Sequence, residues 1–148
     1  CEDGFSTFER NIDIKNIIKN DPAQNLVVEI LSLLYMVNKR VIRQQWFIVY
    51  GLSYLINDAL RRLIKHCLIP NSQHWGWYHL EDELGVDPRG RKCLNELSAL
   101  ISILPTPNHT DVKTVFAHII QIISIANPEL WSELKIKLEA YKFYMNIR

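Results

Sequence analysis

The residues with the clearest chemical potential lie in one stretch, SQHWGWYHLEDELG, at residues 72–85. Two histidines, His74 and His79, stand on either side of Gly76, and an acidic triplet, Glu81-Asp82-Glu83, follows them. Imidazole and carboxylate groups bind Zn²⁺, but recognisable sites have tighter spacing, such as the HExxH pattern on one helix face. Here the third ligand has to come from elsewhere in the chain. The stretch is therefore a weak metal hypothesis, and we predict neither a metal nor another cofactor.

The aromatic residues of the same stretch support two further interpretations. A tryptophan can bury roughly 150–250 Å² and still present its N–H to a partner, so these rings can pin a long connection onto the core. Tryptophan and tyrosine also dominate the energetic hot spots of protein interfaces. The two roles can coexist, with one ring facing inward and another outward. We expect a connecting loop at 69–87 that includes one helical turn at HLEDELG, with partner-binding residues Trp75, Trp77 and Tyr78.

Catalytic signatures are absent from the sequence. It contains no P-loop, GxGxxG, GxSxG or HExxH motif. Cys67 and Cys93 lie in apolar helical patterns, which is typical of small buried hydrophobic residues rather than activated nucleophiles. We therefore predict that the chain is not an enzyme.

The cysteines also bear on the compartment. Cys1, Cys67 and Cys93 are odd in number and widely spaced, which fits neither a disulfide framework nor a CxxC zinc site. This usage favours a reducing, intracellular environment, in the cytoplasm or the nucleus.

Basic residues are concentrated in the middle of the chain, where residues 39–92 hold nine of the seventeen lysines and arginines. Three of them stand in the first turn of the helix that begins after Asp87, where the positive end of the helix dipole disfavours cations. If the basic groups share one surface, they can contact phosphates. The alternative is solvation or pairing with the nearby acidic triplet. The residues of this nucleic-acid hypothesis are Arg61, Arg62, Lys65, Arg89, Arg91 and Lys92.

Length and composition indicate an ordinary globular chain. The 148 residues are 48% hydrophobic and 22% charged, with a net charge of +1, so no global field requires a nucleic acid or an acidic substrate. One domain of this length buries about 68–70% of its unfolded surface and needs no disulfide or metal to fold. The mean hydropathy of -0.05 argues against a membrane protein. We expect a single helical domain, 1–148. Because the chain begins at Cys1 and not at methionine, we expect this domain to be part of a longer protein.

Three Asx-Pro pairs mark helix starts: Asp21-Pro22, Asp87-Pro88 and Asn127-Pro128. The Asx side chain accepts from a free N–H of the first turn, and proline at N1 has no N–H to lose. Thr110 is the expected cap of a further start. The predicted helices are 22–38, 42–56, 58–68, 88–104, 111–126 and 128–146, with a seventh at 7–19 inside an N-terminal arm or helix, 1–20. The second and third can also form one long helix, for which Gly51 and Asn57-Asp58 are the possible break points.

Four of these segments are apolar nearly all round, which predicts that they are largely buried. They are LVVEILSLLYMV, Trp46–Ile56, LSALISIL and IIQIISIA. We expect an all-α fold of about six to seven helices, either a compact irregular bundle or a short α-solenoid-like stack. An internal sequence period is absent, which counts against a regular repeat.

The last predicted helix carries two apolar lines. Its main stripe is Leu130, Trp131, Leu134, Leu138, Tyr141 and Met145. A second line opposite it, formed by Ile136, Phe143 and Ile147, predicts that the helix is sandwiched between its own domain and another surface. Together with the aromatic loop, this predicts a non-catalytic protein–protein interaction domain. Such a scaffold or adaptor would bind another protein chain, in a hetero- or homo-oligomer, and no membrane.

Overall fold

Two helical hairpins form the frame of the computed structural model, which describes residues 21–146. The helices of this range are α1 (Pro22–Ile42), α2 (Trp46–Leu68), α3 (Leu80–Leu84), α4 (Pro88–Ile103), α5 (Val112–Ala126), α6 (Pro128–Leu134) and α7 (Leu138–Met145). Within 21–146 there is no strand, and the all-α fold class is confirmed as a small helical bundle. The predicted helix at 7–19, the arm at 1–20 and Ile147 lie outside the described residues.

The helix starts at the three Asx-Pro pairs are confirmed. The Asp21 side chain accepts a hydrogen bond from the N–H of Ala23 at 3.1 Å, and Asp87 accepts from Arg89 at 2.8 Å. Asn127 accepts from the N–H of Leu130 at 3.1 Å. These starts are local in origin, since cap and proline belong to adjacent positions.

The predicted cap of α5 is wrong. Thr110 is buried, and Asp111 is the capping residue, accepting from the backbone N–H groups of Lys113 and Thr114. The Thr114 hydroxyl also donates to the Asp111 carboxylate at 2.7 Å. This bond is the main cause of the lowered pKa of Asp111.

The second and third predicted helices are one helix, α2, so neither break point is used. Asn57 is only 8% exposed, and its Nδ2 donates to the carbonyl oxygen of Leu104 at 3.2 Å. The polar residue in the middle of α2 therefore binds the segment after α4. Its polarity reflects a tertiary contact that lies 47 residues away in the sequence.

The predicted helix 128–146 is interrupted at 135–137, between α6 and α7. Its main stripe is nevertheless confirmed as the buried side, with Trp131 half-buried at its edge. Tyr141 is 1% exposed, donates its hydroxyl to the carbonyl of Leu31 at 2.9 Å and stacks on Phe116 with centroids 5.5 Å apart. This one side chain ties α7 to both α1 and α5.

The prediction that Trp46–Ile56 is largely buried is wrong. Val49, Leu52 and Ile56 pack into the core, but Phe47 is 97% exposed and Tyr50 is 68% exposed. The reason is that α1 and the later helices cover only one side of α2. None of the helices within 21–146 combines the length and apolarity needed to cross a membrane.

Candidate docking surfaces

The loop between α2 and α3 is anchored onto α2 by two cationic side chains. The Arg61 guanidinium lies over the half-buried ring of Trp77, 5.4 Å from its centroid, and donates to the carbonyl of Gly76 at 3.3 Å. Lys65 Nζ donates to the carbonyl of His74 at 2.8 Å. The predicted helical turn of this loop is α3. Trp77 therefore anchors this loop, in agreement with the interpretation that aromatic rings pin the long connection onto the core.

The two neighbouring aromatic residues point outward. Trp75 is 88% exposed and Tyr78 is 75% exposed, while the chain reverses between them at Gly76, whose φ is +57°. Glycine adopts this left-handed conformation without steric cost. The turn separates an inward ring from outward ones, so Trp75 and Tyr78 stay available for contact and Trp77 does not.

Because of this division, the two tryptophans should respond differently to alanine. We expect Trp77→Ala to lower the free energy of unfolding by about 1–3 kcal/mol, through lost burial and lost stacking with Arg61. Trp75→Ala should change it by less than about 0.5 kcal/mol, as for other surface substitutions. Urea unfolding of both variants measures the difference. Equal losses would contradict the division, and faster proteolysis at 69–79 in Trp77→Ala alone would support it.

The two histidines of the loop lie side by side. Their ring centroids are 4.2 Å apart, and His79 Nδ1 is 3.4 Å from a carboxylate oxygen of Asp82. Among residues 21–146, no group of three or more His, Cys, Asp or Glu side chains is arranged to hold a metal ion. The loop thus brings two imidazoles together, but they and the Asp82 carboxylate are not arranged as a set of metal ligands, so the described residues add no support to the weak metal hypothesis.

The basic residues on α2 are used within the chain. Arg62 binds Asp58 at 3.2 Å and Glu29 at 2.9 Å, and Arg61 binds Asp58 at 2.7 Å. Burial acts to raise the pKa of Asp58, but the hydrogen bonds and charges of Arg61 and Arg62 lower it overall. With Lys65 on the loop carbonyls, all three α2 cations of the nucleic-acid hypothesis have structural contacts.

Two of the three cations at the start of α4 also have contacts, although not with the acidic triplet. Arg89 donates to the carbonyls of Ile125 and Ala126 at 3.0 and 3.2 Å. Those carbonyls form the negative end of α5, which favours a cation. Arg91 donates to the carbonyl of Gly85 at 2.9 Å, and Lys92 is exposed. Nucleic-acid binding stays a prediction. Because of these contacts, fewer cationic side chains are available for it than the sequence suggests.

The second apolar line of the last helix lies at the surface where it is described. Ile136 is 80% exposed and Phe143 is 83% exposed. The line is not one helical face, since Ile136 lies in the interruption between α6 and α7. Among the described rings, Phe143 meets the edge of Tyr144, at 6.0 Å between centroids. Ile136 and Phe143 are therefore both accessible, but they do not lie on one continuous helical face.

A larger apolar surface, missed by the sequence reasoning, lies on the outer side of α2. We call it the α2 face. Five of its side chains are exposed: Phe47 by 97%, Ile48 by 43%, Tyr50 by 68%, Tyr54 by 61% and Leu55 by 47%. Gly51, also exposed, is the sixth member, and their spacing places all six on one side of the helix. No charged residue occurs between Trp46 and Asn57.

A groove adjoins the α2 face and shares three of its residues. It has a volume of about 960 Å³ and is lined by residues 44–50 on one wall and 105–108 on the other. Phe47, Ile48 and Tyr50 belong to both the groove and the face. The surface therefore combines protruding apolar side chains with an adjoining concavity. Such a shape allows complementary packing against a partner.

The described thiols are not activated. Burial raises the pKa of Cys67, and it raises the pKa of Cys93 to about 11. Both cysteines are free, and a thiol of this kind is a poor nucleophile at neutral pH because the reactive thiolate is scarce.

Comparison with known proteins gives no match: neither a family model nor a curated protein nor a solved structure is significantly similar to the chain.

Proposed function

We propose that this chain is a non-catalytic protein–protein interaction domain, of scaffold or adaptor type, and that it docks through the α2 face. The observation that carries the proposal is the exposure of Phe47, Tyr50 and Tyr54 on one side of an uncharged stretch of α2. Exposed apolar residues scattered singly need no explanation, but contiguous apolar patches mark sites of interaction. Covering these rings removes their surface from water and supplies the driving force for association.

Size and neighbours favour the α2 face over the other exposed aromatic residues. With roughly 150–250 Å² available per aromatic side chain, the face offers roughly 500 Å² or more, near the upper range for the largest patch on a monomer. Hot spots also need surrounding contacts that exclude water. Trp75, Tyr78 and Phe143 stand on a loop and a short terminal helix, so we assign them supporting contacts at the edges of an assembly.

The chemistry of the chain supports a binding role rather than catalysis. The described thiols have raised pKa values, and the arginines on α2 and α4 are engaged in holding the fold. The free cysteines fit a reducing compartment, so we place the interaction inside the cell, in the cytoplasm or nucleus.

Photo-crosslinking in living cells tests the proposal. A photoreactive phenylalanine analogue replaces Phe47 or, separately, Tyr54, and the matched control carries it at Asn95, an exposed position on α4. We expect light-dependent protein adducts from positions 47 and 54 and at most a background level from position 95. Adding Tyr50→Asp to the Phe47 probe should abolish its adduct, since a charge in the patch opposes burial.

Two outcomes would contradict the proposal. Equal adduct yields at all three positions would indicate random collisions, and the absence of adducts at 47 and 54 would remove the α2 face as a docking surface. Adducts obtained only with a probe at Phe143 would move the interaction to the last helix. The mass of each adduct also distinguishes a second copy of the chain from a different protein.

A further inference from the structure

We propose that the occupant of the α2 face is a second copy of this chain, in a two-fold symmetric dimer whose α2 helices cross antiparallel at Gly51. The inference rests on the proposed docking role of this face and names its partner. It is carried by the symmetry of the residues around Gly51, by the absence of an internal reason for that glycine, and by the area available for contact.

Four of the five large side chains of the face are placed symmetrically about Gly51. Ile48 and Tyr54 lie three residues before and after it, and Phe47 and Leu55 lie four residues before and after it. In a two-fold symmetric contact, if residue i of one copy packs on residue j of the other, residue j of the first copy also packs on residue i of the second. With the helices antiparallel, Phe47 then packs on Leu55 of the other copy. Ile48 packs on Tyr54 in the same way, so these four side chains each have an apolar counterpart, while Tyr50 lies beside the crossing.

Gly51 has no structural reason within residues 21–146. A Cβ at this position would have nothing within 4 Å, and the residue lies in the interior of a helix with no positive φ. Glycine is the least favourable residue after proline in a helix interior. A second helix crossing at this point supplies a reason, because the distance between packed helix axes depends on the side chains at the contact. Glycine at the crossing allows the closest approach, and the larger residues three and four positions away fill the widening space on both sides.

Area and charge are compatible with this pairing. If each copy contributes roughly 500–600 Å², the dimer buries about 1,000–1,200 Å² in total, near the lower limit for a specific interface. The stretch from Trp46 to Asn57 holds no charged residue, so the contact itself contains no like-charge repulsion. An interface so near the lower limit is typical of weak, reversible association rather than of an obligate dimer.

Sedimentation equilibrium of the full 148-residue chain tests the dimer, from about 1 µM to about 300 µM, a range that brackets the affinity expected for so small an interface. The wild-type mass should rise from one chain to two. Gly51→Leu should raise the dissociation constant by about 10- to 100-fold, because the added side chain separates the helices. Phe47→Asp should leave a monomer throughout. The matched control, Phe143→Asp, places the same charge on an equally exposed residue outside the face and should not change the association.

The folding of the variants is followed separately by circular dichroism and thermal melting. Gly51→Leu is expected to melt at or above the wild-type temperature, since the site is open and leucine favours helix. Higher stability together with weaker association cannot come from misfolding and would support the crossing at Gly51. A wild-type chain that stays monomeric to the highest concentration would overturn the dimer. So would a dimer that Phe143→Asp dissociates and Gly51→Leu does not. If the chain is monomeric and position 47 still crosslinks to a different protein, the proposed function stands while the dimer falls.

Discussion

Replacing Tyr141 with alanine is expected to lower the free energy of unfolding by about 3–5 kcal/mol, the usual range for removing a large buried aromatic side chain. The ring is 1% exposed and stacks on Phe116, and its removal leaves a cavity where α7 meets α1 and α5. A typical domain is stable by only about 5–15 kcal/mol, so this single change removes a large fraction of the total. Urea unfolding followed by circular dichroism measures the loss.

The variant Tyr141→Phe separates packing from hydrogen bonding at the same site. It keeps the ring and removes the hydroxyl that donates to the carbonyl of Leu31, which as part of α1 retains its helical acceptor role. The expected loss is about 1 kcal/mol. Equal losses for the phenylalanine and alanine variants would show that the hydroxyl, not the ring, holds α7 in place.

A comparison of Tyr141→Phe with the wild type also gives a prediction for the pH dependence of stability. Burial raises the pKa of Tyr141 well above its ordinary value, so the native state favours the protonated hydroxyl. The resulting stability is complete below the unfolded pKa of about 10 and decreases as pH rises above it. Tyr141→Phe lacks this group, and its stability should therefore fall less steeply above pH 10 than that of the wild type.

The parts of the fold that were predictable from sequence are those with local causes. The Asx-Pro caps, the turn at α3 and the buried stripe that contains Tyr141 all depend on residues a few positions apart. The interruption at 135–137 has no such cause, because LKIKLEA contains neither glycine nor proline. The sequence therefore carries no local sign that the helix ends at Leu134.

The docking surface was harder to predict, for a physical reason. A helix that is apolar all round is ordinarily buried all round, and Trp46–Ile56 was interpreted in that way. The pattern cannot tell whether the second side is covered by the same chain or by another. Arg89 is a parallel case: its place in the first turn of α4 looked unfavourable, yet the fold brings the end of α5 to it. Both cases concern neighbours that are remote in sequence.

The second large effect is expected at Gly90, where alanine should destabilise the protein by about 3 kcal/mol through overpacking. A Cβ there would collide with the carbonyl group of Leu84, with the carbonyl carbon at 2.8 Å and the Cα at 3.0 Å. All these atoms belong to the backbone, so no flexible side chain can move aside. The connection between α3 and α4 must shift instead, and with it the end of the anchored loop. Thermal and urea unfolding of Gly90→Ala measure the loss.

Gly51→Ala is the matched control, because it makes the same chemical change in another helix with the opposite expected sign. A Cβ at position 51 meets nothing within 4 Å, so the gain in helix propensity of about 1 kcal/mol is not offset by a clash. The measurement is made at a concentration where the chain is monomeric, so that any contact at the α2 face does not enter. A loss of stability in both variants would show that the environment of Gly51 is crowded and would remove the steric argument for a helix crossing there. A loss of stability in Gly90→Ala together with a gain in Gly51→Ala would show that Gly90 allows the close approach of α3 and α4. It would also show that the folded monomer does not require a glycine at position 51.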